Sequence, residues 1–84
     1  MADEIHISSL VIHARPRDCA AVRGAIERMA GAEVHAVTPT GKLIVTLETT
    51  SEHEIAARLS DINGLPGVVS AALVFHQFEP ETPT

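Results

Sequence analysis

The chain has 84 residues, 45% of them hydrophobic, with six Lys+Arg against 11 Asp+Glu and a formal net charge of -5. That length holds one small core and excludes a second domain or a deep cofactor cavity. The negative balance and an aromatic content of two Phe, without Trp or Tyr, argue against a nucleic-acid partner, which needs cations for phosphate and rings for stacking. One cysteine, Cys19, excludes an internal disulfide framework and a Cys-rich zinc module. No run of 18 apolar residues is present and the acidic start Met1-Ala2-Asp3-Glu4 is unlike a secretory signal. A cytoplasmic chain with no membrane insertion is the expectation.

Ile5 to Ala14 is rich in β-branched residues and stops at Arg15-Pro16, where the residue before proline is pushed out of the helical region. This predicts a strand. Pro16 then suits a first helical turn. Cys19, Val22, Ile26 and Met29 follow at three- and four-residue steps, an apolar helical stripe that Gly31 terminates. Ala32 to Thr38 and Lys42 to Glu48 alternate on either side of Thr38-Pro39-Thr40-Gly41, which predicts a β-hairpin. Ser51 with Glu54 three residues on forms a capping box, and Ile55, Leu59 and Ile62 make a second stripe ending at Asn63-Gly64. Val68 to Gln77, small or β-branched throughout most of its length, predicts a last strand.

The order β-α-β-β-α-β predicts an α+β, ferredoxin-like sandwich. It consists of a four-stranded antiparallel sheet in the order 4-1-3-2, with both helices on one face. Residues 1–78 form the single domain, and 79–84 a disordered acidic tail.

Period-two alternation divides the strand residues between the faces. Ser8, Leu10, Ile12, Ala14, Val34, Ala36, Leu43, Val45, Leu47, Val69, Ala71, Leu73 and Phe75 are expected against the helices. Ser9, Val11, His13, Glu33, His35, Val37, Ile44, Thr46, Glu48, Ser70, Ala72, Val74 and His76 are expected on the open side, with Val68 beside them. Small apolar side chains rimmed by polar ones mark an interaction surface. Ordinary strand propensity, or a weak homodimer covering the sheet, is the competing explanation for the same pattern.

Catalytic chemistry finds little support. The five histidines, His6, His13, His35, His53 and His76, include no close-spaced ligand pair. Cys19 begins an apolar stripe and reads as a small buried hydrophobe. The glutamates near Ser51 suit a helix start. Phosphate-loop, nucleophile-elbow and zinc-protease motifs are all missing from the sequence. No enzyme activity and no cofactor are expected.

Several segments together resemble the NapD family. They are Ser9-Leu10-Val11-Ile12, Gly41-Lys42-Leu43-Ile44-Val45, and Gly67-Val68 leading to Leu73-Val74-Phe75-His76-Gln77, followed by an acidic tail. The similarity covers the whole folded part and departs mildly, with Phe75 in place of a familiar tyrosine and Ile12 in an often Val-Val pair. The resemblance implies a cytoplasmic, ferredoxin-like chaperone for the catalytic subunit of periplasmic nitrate reductase. Such a chaperone binds the subunit's twin-arginine signal peptide and delays export until cofactor loading is complete. Placed on the open face, that peptide would lie on Val11, Ile44, Ala72 and Val74, with Glu33 and Glu48 near its arginines. The chief alternative is an amino-acid-sensing regulatory domain of the same fold; a metal carrier is a second, weakened by the single cysteine.

Overall fold

The computed structural model describes residues 4–80, and side-chain surroundings for residues 5–74. Strand β1 (Glu4–Ala14) leads through a 3-10 turn (Pro16–Asp18) into helix α1 (Cys19–Glu27). Strands β2 (Ala32–Val37) and β3 (Lys42–Thr49) form the hairpin. Helix α2 (Glu52–Asn63) and strand β4 (Val68–Pro80) complete the chain. The sheet order is β2-β3-β1-β4, with antiparallel neighbours throughout. This is the predicted 4-1-3-2 arrangement of an α+β ferredoxin-like fold.

Each helix forms where local chemistry allows it. Pro16 opens the tight turn ahead of α1, with Arg15 extended before it. Val22 and Ile26 are the buried residues of α1, and Cys19 and Met29 pack partly against the same cluster. At α2, Ser51 Oγ accepts from the Glu54 N–H at 3.2 Å, the first half of the expected capping box. The second half is displaced by one residue. Glu54 Oε1 accepts from the Thr50 N–H and from the Thr50 hydroxyl, each at 2.9 Å. The Thr50 backbone hydrogen bond, then its hydroxyl, hold the Glu54 carboxyl below its ordinary value of 4.5.

The core lies between sheet and helices. Leu10, Ile12, Val22, Ile26, Leu43, Val45, Leu47 and Ile62 are almost wholly buried, with Ala14 beside them. Each large side chain there contributes about 1.5–3 kcal/mol by leaving water. Polar residues occupy part of the same face: His6, Ser8 and Thr49 are buried. Ser8 Oγ has no hydrogen-bond partner among the described residues, a small local cost in an otherwise apolar layer.

The turns need glycine at two points that fix strand ends. Gly31 has φ 81°, and its carbonyl oxygen accepts from the Glu48 N–H at 2.9 Å; a Cβ there would overlap the Glu48 carbonyl. Gly41 has φ 99°, and its carbonyl accepts from Ala14 N–H at 2.7 Å, tying the hairpin turn to the end of β1.

The predicted boundaries are corrected at the carboxyl end. Strand β4 continues to Pro80, with Glu79 opposite Ile5 and Pro80 opposite Glu4. The expected tail therefore loses 79 and 80 to the sheet. Residues 81–84 lie outside the described residues.

Candidate functional site

The helices cover one face of the sheet and leave the other to its own side chains. Strand β1 sits at the centre, between β3 and β4, and its odd residues build the middle of the open face. The β1–β3 register runs unbroken from His6↔Thr49 to His13↔Lys42. Because directly opposed residues share a face, the register places the site in rows. Ile7 lies between Glu48 and the Gln77 position. Ser9 lies beside Thr46, and Thr46 beside Glu33. Val11 lies between Ile44 and Ala72. His13 lies between Lys42 and Ser70.

Ser9, Val11, Ile44 and Thr46 are half-buried with no helix above them, while His13, Glu33, His35, Glu48, Ser70 and Ala72 are exposed. The result is a shallow strip of short side chains, apolar at Val11, Ile44 and Ala72. Its ends differ in charge. Glu33 and Glu48 form an acidic corner on the β2–β3 side. Lys42 closes the opposite end beside His13. Ile7 and His13, six residues apart on one strand, are roughly 20 Å from each other along the strip.

At the acidic corner, His35 Nε2 and Thr46 Oγ1 lie 2.7 Å apart in a hydrogen bond whose donor the tautomer sets. His35 Nδ1 is 3.9 Å from Glu33 Oε2, with the two side chains 43% and 73% exposed. A pair this open to water contributes little stability, so the glutamate remains available to a cation from outside.

Three bulges correct the predicted faces, all of them in the edge strands. Between Val34 and Ala36 the β2–β3 register shifts at His35. Ala36 then stands opposite Ile44, and Val37 opposite the buried Leu43. Val37 therefore leaves the open-face set and Ala36 joins it. In β4, the shift between His13 and Ala14 puts Val68 opposite Ala14 and leaves Val69 out of the pairing. Val68 packs partly against the core, whereas Val69, expected inside, is 68% exposed.

The second β4 shift lies between Ser9 and Leu10 and leaves Val74 out of register at 61% exposure. Beyond it, Phe75 rather than His76 stands opposite Ser9, and His76 stands opposite the buried Ser8. The expected open-face place of His76 is thereby corrected, as is the core-face place of Phe75. Leu73 stands opposite Leu10 as expected but is 42% exposed, because β4 is an edge and α2 covers it only in part. An extra residue inverts every later side chain in a strand, and alternation alone cannot reveal it.

Ile7 is the residue the sequence reading missed. It is half-buried and shares the face of Ser9 and Val11; counting two residues back from Ser9 would have found it. No group of three or more His, Cys, Asp or Glu arranged for a metal ion occurs among the described residues. No helix among them is long and apolar enough to cross a membrane.

Comparison with known proteins agrees with the geometry. The family model described as NapD protein matches residues 5–80. A protein named Chaperone NapD from Paracoccus pantotrophus is 40% identical over 76 residues, covering 90% of this chain and 67% of the relative. A second Chaperone NapD, from Haemophilus influenzae, is 21% identical over 77 residues, covering 90% and 83%. The solution structure of the E. coli Tat proofreading chaperone protein NapD superposes with a TM-score of 0.80 at 27% identity, covering 95% of this chain and 88% of that one. A transcriptional regulatory protein of the AsnC family from Pyrococcus furiosus shares the fold alone, with a TM-score of 0.64 at 16% identity over 94% and 52% of the two chains. The matched span takes in all four strands and both helices, and the chain belongs to the NapD family.

Proposed function

We propose that this chain is a chaperone that binds the twin-arginine signal peptide of the periplasmic nitrate reductase catalytic subunit on the open face of its sheet, holding back export until that subunit has received its cofactors. The observation that carries the reading is the uncovered strip itself: small apolar side chains between an acidic corner and a cationic end. The family supports the chaperone role, and the E. coli relative is described as a Tat proofreading chaperone.

The strip suits a peptide that is basic at its start and apolar after it. A helix of about 13 residues spans roughly 20 Å, the distance from Ile7 to His13 estimated above. Its apolar side would rest on Val11, Ile44 and Ala72, with Ser9, Thr46 and Ser70 close enough for polar contacts. Glu33 and Glu48 would face the arginines, and Lys42 would face the carboxyl end of the peptide helix, where the helix dipole is negative. The net charge of -5 favours encounter with a basic segment. Binding and sequestration need no catalytic group and no cofactor in the chaperone.

Calorimetric titration with the twin-arginine peptide tests the reading directly. Tight binding by that peptide and weaker binding when both arginines become glutamine are expected. Equal affinity for the two peptides in low salt would remove the role of the acidic corner, and no binding by either would end the proposal.

A further inference from the structure

The charges of the open strip are ordered along it, and their order is self-complementary. Leu10 and Val45 stand opposite each other in the two central strands, both wholly buried under the helices. On the open side of β3, Ile44 and Thr46 flank Val45, with Lys42 and Glu48 beyond them at equal distances. On β1, Ser9 and Val11 flank Leu10, with Ile7 and His13 beyond them. The strip is thus centred on the Leu10–Val45 pair, acidic on one side of it and cationic on the other.

A two-fold axis lying flat on this face, across the strands at that pair, sets a second copy antiparallel over the first. Glu48 of each copy then meets Lys42 of the other, so one contact is made twice, as a two-fold interface requires. Ile7 meets His13, and the short side chains between them fill the middle. Sheets stack face to face about 10 Å apart, a gap that Glu and Lys side chains reach across from opposite sides. An axis running along the strands would instead gather both acidic corners at one end and both lysines at the other, which like charges oppose. Within one chain, Lys42 and Glu48 are roughly 20 Å apart along β3. Both are exposed, and neither side chain makes an ion pair among the described residues.

We propose that the open face is also a reversible contact between two copies of this chain, stacked antiparallel about the Leu10–Val45 pair, and that the free chaperone covers its peptide site in this way. The cover over a peptide site rests on the function proposed above; the pairing of copies does not. The contact is weak by construction. A face roughly 20 Å long and four strands wide spans about 400 Å² on each copy, half of the roughly 800 Å² per partner in a stable complex. The charge of -5 on each chain opposes association further. Such a cover holds at high concentration and yields to a peptide that fits the strip better.

Sedimentation in low salt tests the proposal. The wild type should shift with rising concentration toward twice the mass of one chain, and the shift should shrink as salt rises. Lys42→Glu and Glu48→Lys each set like charges opposite one another and should abolish the shift. The double exchange, Lys42→Glu with Glu48→Lys, remakes both contacts with their signs reversed and should restore it. All three variants alter exposed side chains and should melt with the wild type. A wild type that stays single at every concentration overturns the proposal, as does a double exchange that pairs no better than the single variants. Adding the twin-arginine peptide to the paired wild type should return it to single chains. A peptide that binds and leaves the copies together overturns the cover. A peptide that does not bind overturns the function proposed above and the cover with it, while the charge exchange decides the pairing on its own.

Discussion

The two faces of the sheet use nearly the same residue types for opposite ends. On the covered face, Leu10, Ile12, Leu43, Val45 and Leu47 vanish beneath α1 and α2. On the open face, Val11 and Ile44 stand in the same strands, one residue away, and stay half-buried without a roof. The difference is the layer above them and not hydrophobicity. Side chains too short to demand a cover can remain in water at modest cost, and the same shortness leaves room for a rod to lie down. The contrast teaches that on this fold a binding surface is made by withholding a helix and trimming the side chains beneath.

The sharpest way to break that comparison is to put one charge on each face of β3. Val45→Asp buries an unpaired carboxylate in a core where Val45 has no exposure. In a small domain with about 5 kcal/mol of stability, such a change removes most or all of it, and thermal melting should show no cooperative transition. Ile44→Asp should melt close to the wild type and weaken signal-peptide binding about tenfold or more, since each 1.4 kcal/mol lost is a factor of ten. If Ile44→Asp unfolds the chain as Val45→Asp does, the faces are not distinct.

Charge on the open face should matter by position. Reversing the acidic corner with Glu33→Lys and Glu48→Lys should weaken peptide binding about fivefold, in keeping with roughly 1 kcal/mol from exposed charges. Lys42→Glu, at the other end, should not cause a comparable loss. Titrations at two salt concentrations check this, because the fivefold effect should shrink as salt rises.

The covered face can be disturbed gently through its roof. Ser51→Ala removes the cap of α2 and should cost about 1 kcal/mol in denaturant unfolding, with peptide affinity unchanged. The smallest effect concerns Glu54, whose carboxyl is held below 4.5 by hydrogen bonds from Thr50. Its folded value is depressed, so its contribution is present above that pH and is lost as pH falls below it. Glu54→Gln should therefore melt below the wild type at neutral pH, and the gap should narrow in acid; a gap that widens would reverse the sign.

Regular stretches were legible from the residues, and irregular ones were not. β3 alternates cleanly and β1 only weakly, yet the two keep an unbroken register, and Ser9, Val11, Ile44 and Thr46 fell on the open face as read. Val37, Val68, Val69, Phe75 and His76 were misplaced because three bulges sit in the edge strands. An edge strand has one neighbour to hold its register, so an extra residue is tolerated there; the central pair, bonded on both sides, keeps strict step. Asn63 was read only as a helix end before Gly64. Its side-chain hydrogen bonds with the backbone of Ala71 depend on α2 lying over β4, a tertiary relation that no local pattern encodes. Calling the family needed the ordered set of segments together, since no single motif carries it.

The pairing of Glu4 with Pro80 has a consequence for the order in which the molecule comes into being. The central strand β1 is made before the other three strands, and its outer neighbour β4 after them. Until β4 emerges, one flank of β1 has no strand beside it, and Ser8, Leu10 and Ile12 lie at a provisional border of the sheet. The hairpin of β2 and β3 closes over a short separation, whereas the β1–β4 seam spans all the other elements. Loop closure over that distance is slow relative to hairpin formation. The layer becomes continuous only once β4 has been synthesised, so a ribosome stalled before β4 would hold a chain with its middle strand half-paired.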